Sequence, residues 1–151
     1  MLIQFLLLAI FGIAMAHLEG VVVVYLRKAF GLIDSETESG NKELLEQIPR
    51  RYIKIEITRE AATIVMLVAL ALLAGQSILE QLIVFLWTFA FWDLFYYVSL
   101  YIVIKWPPRL STIDVLFLIP RPWIAPVWFP VGVSSLTIIL IAVFYLLPGL
   151  L

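Results

Sequence analysis

From Met1 to Leu26 only Gln4, His17 and Glu19 interrupt an apolar run. Crossing the ~30 Å hydrocarbon core of a bilayer takes ~20 such residues in a helix, so this run is long enough to span. Further apolar stretches follow at Ala61–Ala74, Ile78–Ile104 and from Val127 onward. Hydrophobic residues make up 64% of the 151-residue chain and charged residues 14%, against roughly 45–50% and about 25% in a soluble domain. The expected fold is all-α: an integral membrane four-helix bundle, built as a single membrane domain.

The passes are expected at about 1–28, 56–74, 78–105 and 127–148. Ala14-Met15-Ala16 has the small residues of a signal cleavage site, but no basic segment precedes it, so the first helix is read as retained. The connection 29–55 opens on the acidic, turn-rich run Asp34 to Asn41, expected to be mobile, and Lys42 to Ile48 suits a short helix that Pro49 ends. Arg50 to Glu56 alternates apolar and charged residues, which suits a strand or an extended segment along the headgroups. Ala61 to Ala74 is only fourteen residues, so the second pass must start near Glu56 and take Arg59 and Glu60 to the lipid boundary. Gly75-Gln76-Ser77 is a tight turn, and Trp106-Pro107-Pro108 stops the third helix. Within the interfacial segment 106–126, Ser111-Thr112-Ile113-Asp114 reads as a capped helix start. A short interfacial helix is therefore expected there, ending at Pro120-Arg121-Pro122. Trp106, Trp123 and Trp128 fit the headgroup level, where indole is favoured.

All ten Lys and Arg fall in the first and third connections or at the helix ends beside them. The positive-inside rule makes both connections cytoplasmic and puts both termini on the non-cytoplasmic side. The residue inventory also excludes whole classes of chemistry. No cysteine means no thiol nucleophile, thiolate metal site or iron–sulfur cluster, and the single histidine removes bis-His haem ligation within one chain. No nucleotide-binding loop or HExxH motif occurs, so the cofactor is left unknown. A net charge of −1 without a basic tract argues against nucleic acid. Membrane lipids are the expected partners, with a membrane-protein partner or a homo-oligomer left open.

Ionisable groups inside a membrane cost on the order of 2.5–3.5 kcal/mol each at a helix centre. His17, Glu19, Glu60 and Asp93 are the catalytic candidates for that reason. At ~1.5 Å rise per residue, counted from Leu2, Ala74 and Ile78, they lie ~22, ~25, ~21 and ~22 Å from the non-cytoplasmic face. Residues of three helices thus share one layer near the cytoplasmic boundary. His17 and Glu19, two positions apart, project ~200° apart and cannot easily face one small site. No metal set is assigned. Tyr96, Tyr97 and Arg59 are the substrate-binding candidates. The plainer alternative is internal pairing: Glu60 with Arg59 or Thr63, Asp93 with Tyr96 or Tyr97, and His17 with any of the carboxylates. Gly12, Ala16 and Gly20, and again Ala71 and Gly75, recur every four residues and predict helix-packing stripes.

Trp92-Asp93, Tyr96-Tyr97, Trp106-Pro107, Asp114-Val115-Leu116-Phe117-Leu118-Ile119-Pro120 and Pro122-Trp123 together resemble a pattern of uncharacterised small bacterial membrane proteins. The resemblance implies a bacterial inner-membrane protein and carries no activity with it. The polar layout is also similar to that of emopamil-binding sterol isomerases, which place a His, two Glu and an Asp in one membrane layer and have a pair like Glu19-Gly20. In that family the His and first Glu are one helical turn apart, a spacing His17 and Glu19 do not have.

Three functions fit these residues. The first is a non-catalytic subunit, helper or small binding protein of a membrane complex. The second is a membrane-embedded enzyme acting on a lipid or isoprenoid-like substrate by acid–base or metal chemistry, with Asp93 or Glu60 as base and His17 as acid or ligand. The third is an oligomeric transporter or channel. The cysteine-free background makes the topology directly testable. Gln76→Cys should react with a membrane-impermeant maleimide applied outside intact cells, and Arg109→Cys only after permeabilisation; the opposite pattern would invert the orientation.

Overall fold

The computed structural model describes residues 1–29 and 49–148. The expectations for Asp34–Asn41 and Lys42–Ile48 lie outside the described residues. Helix α1 spans Leu2–Ala29, α2 Arg50–Ala74 and α3 Ile78–Ile104. A two-stranded antiparallel hairpin follows, β1 Ile113–Phe117 and β2 Trp123–Pro126. Helix α4, Trp128–Ile141, continues into a π-helical turn over Ala142–Leu146. Among the described residues, four helices are long and apolar enough to cross a membrane. Their outward residues suit lipid contact: Leu73 is 82% exposed, Ile78 79% and Phe144 74%.

Helix α3 is the centre of the bundle and contacts each of the other three helices. Its closest partner is α1, and the small-residue stripe of α1 explains why. A Cβ at Gly12 would lie 2.9 Å from the Thr88 carbonyl oxygen and 3.1 Å from Phe91 Cβ. A Cβ at Gly20 would lie 3.0 Å from Ser99 Oγ, and Ala16 between them is fully buried. The stripe lets the two backbones approach, the usual device in lipid, where apolar burial gives little helix–helix drive. Trp87 ties the same pair together, its indole N–H donating to the Phe5 carbonyl at 2.9 Å. Gly75 serves the α2–α3 turn instead: any Cβ there would sit 2.5 Å from the Gln81 nitrogen. Ser77 caps α3 by accepting the Glu80 N–H at 3.2 Å.

Two expectations need correction. Helix α2 begins at Arg50 rather than near Glu56, and Arg50–Glu56 is helical rather than extended. Its alternation is overridden by a second periodicity: Ile53, Glu56 and Glu60 fall on one helical face, and all three line the cavity described below. The interfacial segment, in turn, holds a β-hairpin and not a short helix, and Ser111 caps nothing helical. Prolines at 107, 108, 120, 122 and 126 leave too short a window for a stable helix. Ile113, Val115 and Phe117 instead favour extended backbone. The strands pair Ile113 with Pro126, Asp114 with Ala125, Val115 with Ile124 and Phe117 with Trp123, with an irregularity between Val115 and Phe117. A lone hairpin is marginal in water. This one is joined to the bundle by Val127 N–H to Thr112 O at 2.9 Å and Trp128 N–H to Leu110 O at 2.8 Å, and Phe117 packs on Phe89 and Trp92.

Close packing at Gly12 predicts that Gly12→Leu lowers the thermal stability of the detergent-solubilised protein, by about 1–3 kcal/mol for overpacking. A Cβ at Gly132 meets nothing within 4 Å, so Gly132→Ala should be neutral or stabilising by up to about 1 kcal/mol. Equal melting shifts for the two variants would contradict the α1–α3 contact.

Candidate functional site

At the bundle end formed by the C-terminal halves of α1 and α3, the start of α2 and strand β1, the helices leave a cavity of about 90 Å³, enough for several waters. Glu19, Val23 and Leu26 line it from α1, and Ile53, Glu56, Arg59 and Glu60 from α2. Trp92, Asp93, Tyr96 and Tyr97 line it from α3, and Val115–Leu118 close it from the hairpin side. Six of the seven sequence candidates therefore meet in one space: Glu19, Arg59, Glu60, Asp93, Tyr96 and Tyr97. His17 does not. Its Nδ1 lies 2.7 Å from Ser99 Oγ, and the residue is exposed on another side of α1, as the ~200° offset from Glu19 requires.

The carboxylates are held in different ways. Glu19, buried at 7% exposure, accepts a hydrogen bond from Thr63 Oγ1 and is ion-paired to Arg59 Nη1. Arg59 also donates from Nε to Glu56 Oε2 at 2.9 Å, with its Nη2 at the same distance from that oxygen. One guanidinium thus bridges carboxylates of α1 and α2. Glu60 points the other way and accepts two backbone N–H groups of the hairpin turn, Leu118 to Oε2 at 2.8 Å and Ile119 to Oε1 at 3.0 Å. Asp93 accepts from Ser134 Oγ of α4 at 2.7 Å, through Oδ2. Tyr97 donates to Oδ2 of Asp114 at 3.0 Å, while Asp114 Oδ1 accepts the Val115 N–H at 2.8 Å.

These contacts replace the pairings expected from sequence. Glu60 bonds neither Arg59 nor Thr63, because both of those side chains serve Glu19. Asp93 bonds Ser134 rather than Tyr96 or Tyr97, because Tyr97 is taken by Asp114 and α4 packs against α3. Among the described residues, His17 bonds a serine and no carboxylate. Sequence reasoning also missed Glu56, Asp114, Ser134 and the amides of Leu118 and Ile119. Glu56 was detectable from its shared helical face with Ile53 and Glu60. Nothing in the sequence marks Ser134, or two backbone amides, as carboxylate partners.

Two further features bear on chemistry. Trp92 is 9% exposed and lines the cavity, yet among the described residues its indole N–H has no hydrogen-bond partner. The aromatic wall continues through Tyr96 and Tyr97, with ring centroids 5.3 Å apart. Among the described residues no group of three or more His, Cys, Asp or Glu is placed to hold a metal ion. No protein-family model, curated protein or solved structure matches the chain.

Glu60 is the residue that fastens the hairpin over the cavity. Hydrogen bonds to a charged acceptor are worth about 1.5–3 kcal/mol each. Glu60→Ala should therefore speed amide exchange at Leu118 and Ile119 by at least about tenfold, read by hydrogen–deuterium exchange, with the core of α3 unchanged. Unaltered exchange in the hairpin would remove Glu60 from this role.

Proposed function

We propose that this chain is a small multi-pass membrane protein that binds an amphipathic molecule by its polar head, as a non-catalytic binding component of a membrane complex. The observation that carries the reading is the hairpin-capped cavity, in which four carboxylates, a guanidinium and two tyrosines face apolar walls from Val23, Leu26, Ile53 and Leu116. Ligand pockets combine these features: mostly apolar lining and a few convergent polar groups. Purely structural pairing would have no need of open space between the groups. The clustering of Lys and Arg at this end of the bundle supports placing the cavity at the cytoplasmic face, with both termini on the far side. The sequence pattern around Asp93 and Asp114 supports a bacterial inner membrane as the setting.

A second reading, acid–base catalysis on a lipid or isoprenoid-like substrate, is favoured by one observation. Among the described residues Asp93 receives a single hydrogen bond, at Oδ2, with no donor to Oδ1 of this cavity-lining residue. In that reading Asp93 is the base. His17 cannot be its acid partner, because it lies outside the cavity.

Native mass spectrometry of protein extracted from its own membranes in an uncharged detergent tests the binding reading. One retained small-molecule adduct per chain is expected. Leu116→Trp, which fills the cavity from the hairpin side, should lose the adduct while keeping the wild-type helical circular dichroism. A wild-type protein free of adducts, or an adduct that survives Leu116→Trp, would contradict it.

A further inference from the structure

The charge arrangement of the cavity narrows the class of molecule that fits it. Resting on the binding reading above, we infer that the ligand head is a cation: an amphiphile carrying a protonated or quaternary nitrogen close to an oxygen acceptor. Among the described residues, four carboxylates line the cavity against one guanidinium. That guanidinium is engaged by Glu19 and Glu56 together. Glu60 is met by neutral amides only, and Asp93 by a neutral hydroxyl. Two carboxylates therefore face the cavity with no cationic partner among the described residues. Anionic charge left uncompensated in lipid is unfavourable by kilocalories per group, and a bound cation within a few ångströms relieves it.

One further feature agrees with a nitrogen cation, and a second with the oxygen beside it. The rings of Trp92, Tyr96, Tyr97 and Phe117 line the same space, and aromatic faces attract ammonium groups, most strongly where water is excluded. The buried indole N–H of Trp92, without a partner among the described residues, suits an oxygen acceptor on the ligand beside the charge. Phosphate, sulfate and carboxylate heads are disfavoured by the same carboxylates. The cavity volume of about 90 Å³ holds a head of this size, and the apolar walls take the first carbons of a chain.

The test compares three twelve-carbon amphiphiles titrated into the protein in maltoside micelles: dodecyltrimethylammonium, dodecanol and dodecyl sulfate. Binding is followed by tryptophan fluorescence, with Trp92→Phe identifying the reporter, and by thermal shift. The ammonium should bind at least about tenfold more tightly than the alcohol, the size expected of one charge and an aromatic contact. The sulfate should not compete. Asp93→Asn should lower ammonium affinity by about tenfold and Asp93→Glu restore it. If Asp93→Asn fails to fold, Tyr96→Leu should weaken the ammonium selectively and leave the alcohol unaffected. Equal affinity for ammonium and alcohol, unmoved by these variants, would overturn the cationic class while leaving amphiphile binding intact. Binding of none of the three would overturn both.

Discussion

The guanidinium of Arg59, held between Glu19 on α1 and Glu56 on α2, is the contact on which the polar end of the molecule depends. Each charge taken from water into this environment costs several kilocalories unless it is paired and hydrogen-bonded. Glu19 is nearly fully buried, and Thr63 adds a hydrogen bond to the ion pair. The contact fixes how the start of α2 meets the second half of α1. It thereby sets one wall of the cavity. Removal of Arg59 would strand the buried Glu19 carboxylate, whereas loss of Glu19 leaves the half-buried Arg59 still paired with Glu56.

The neighbouring residue does a different task. Adjacent helix positions diverge by ~100°, so while Arg59 faces α1, Glu60 reaches the hairpin and accepts its Leu118 and Ile119 amides. Two consecutive residues of α2 thus join three elements. Tyr97 with Asp114, and Asp93 with Ser134, extend the same logic from α3 to the hairpin and to α4. The bundle is packed through small residues in its apolar length and through charge-assisted contacts at one end. The cavity lies where those contacts diverge.

Much of this was readable from the sequence. Apolar runs gave four helices, and the every-fourth-residue spacing of Gly12, Ala16 and Gly20 gave the α1 packing face now seen against α3. Helix rise alone placed Glu19, Glu60 and Asp93 in one layer, and helix rotation already separated His17 from Glu19. What was not readable depends on tertiary choice. Thr63 and Arg59 are as close in sequence to Glu60 as any partner, yet they face Glu19 because α2 is rotated toward α1. The hairpin was hidden by a proline-bounded window in which a Ser-Thr-Ile-Asp start signal competed with β-branched residues. The β-branched residues prevail because the strand can be fastened by Glu60 and by Phe117 packing on Trp92, contacts that only exist once the bundle has formed.

The most direct test of this account is a double-mutant cycle on the α1–α2 ion pair, measured by reversible unfolding in detergent. Arg59→Met, which leaves the buried Glu19 unpaired, should destabilise the protein by about 3–5 kcal/mol, and Glu19→Gln by less, because Arg59 keeps its contact with Glu56. The double variant should cost less than the sum, with a coupling of roughly 1–3 kcal/mol. Additive losses, with no coupling, would mean that Arg59 does not hold Glu19, and the cavity wall would have to be built some other way.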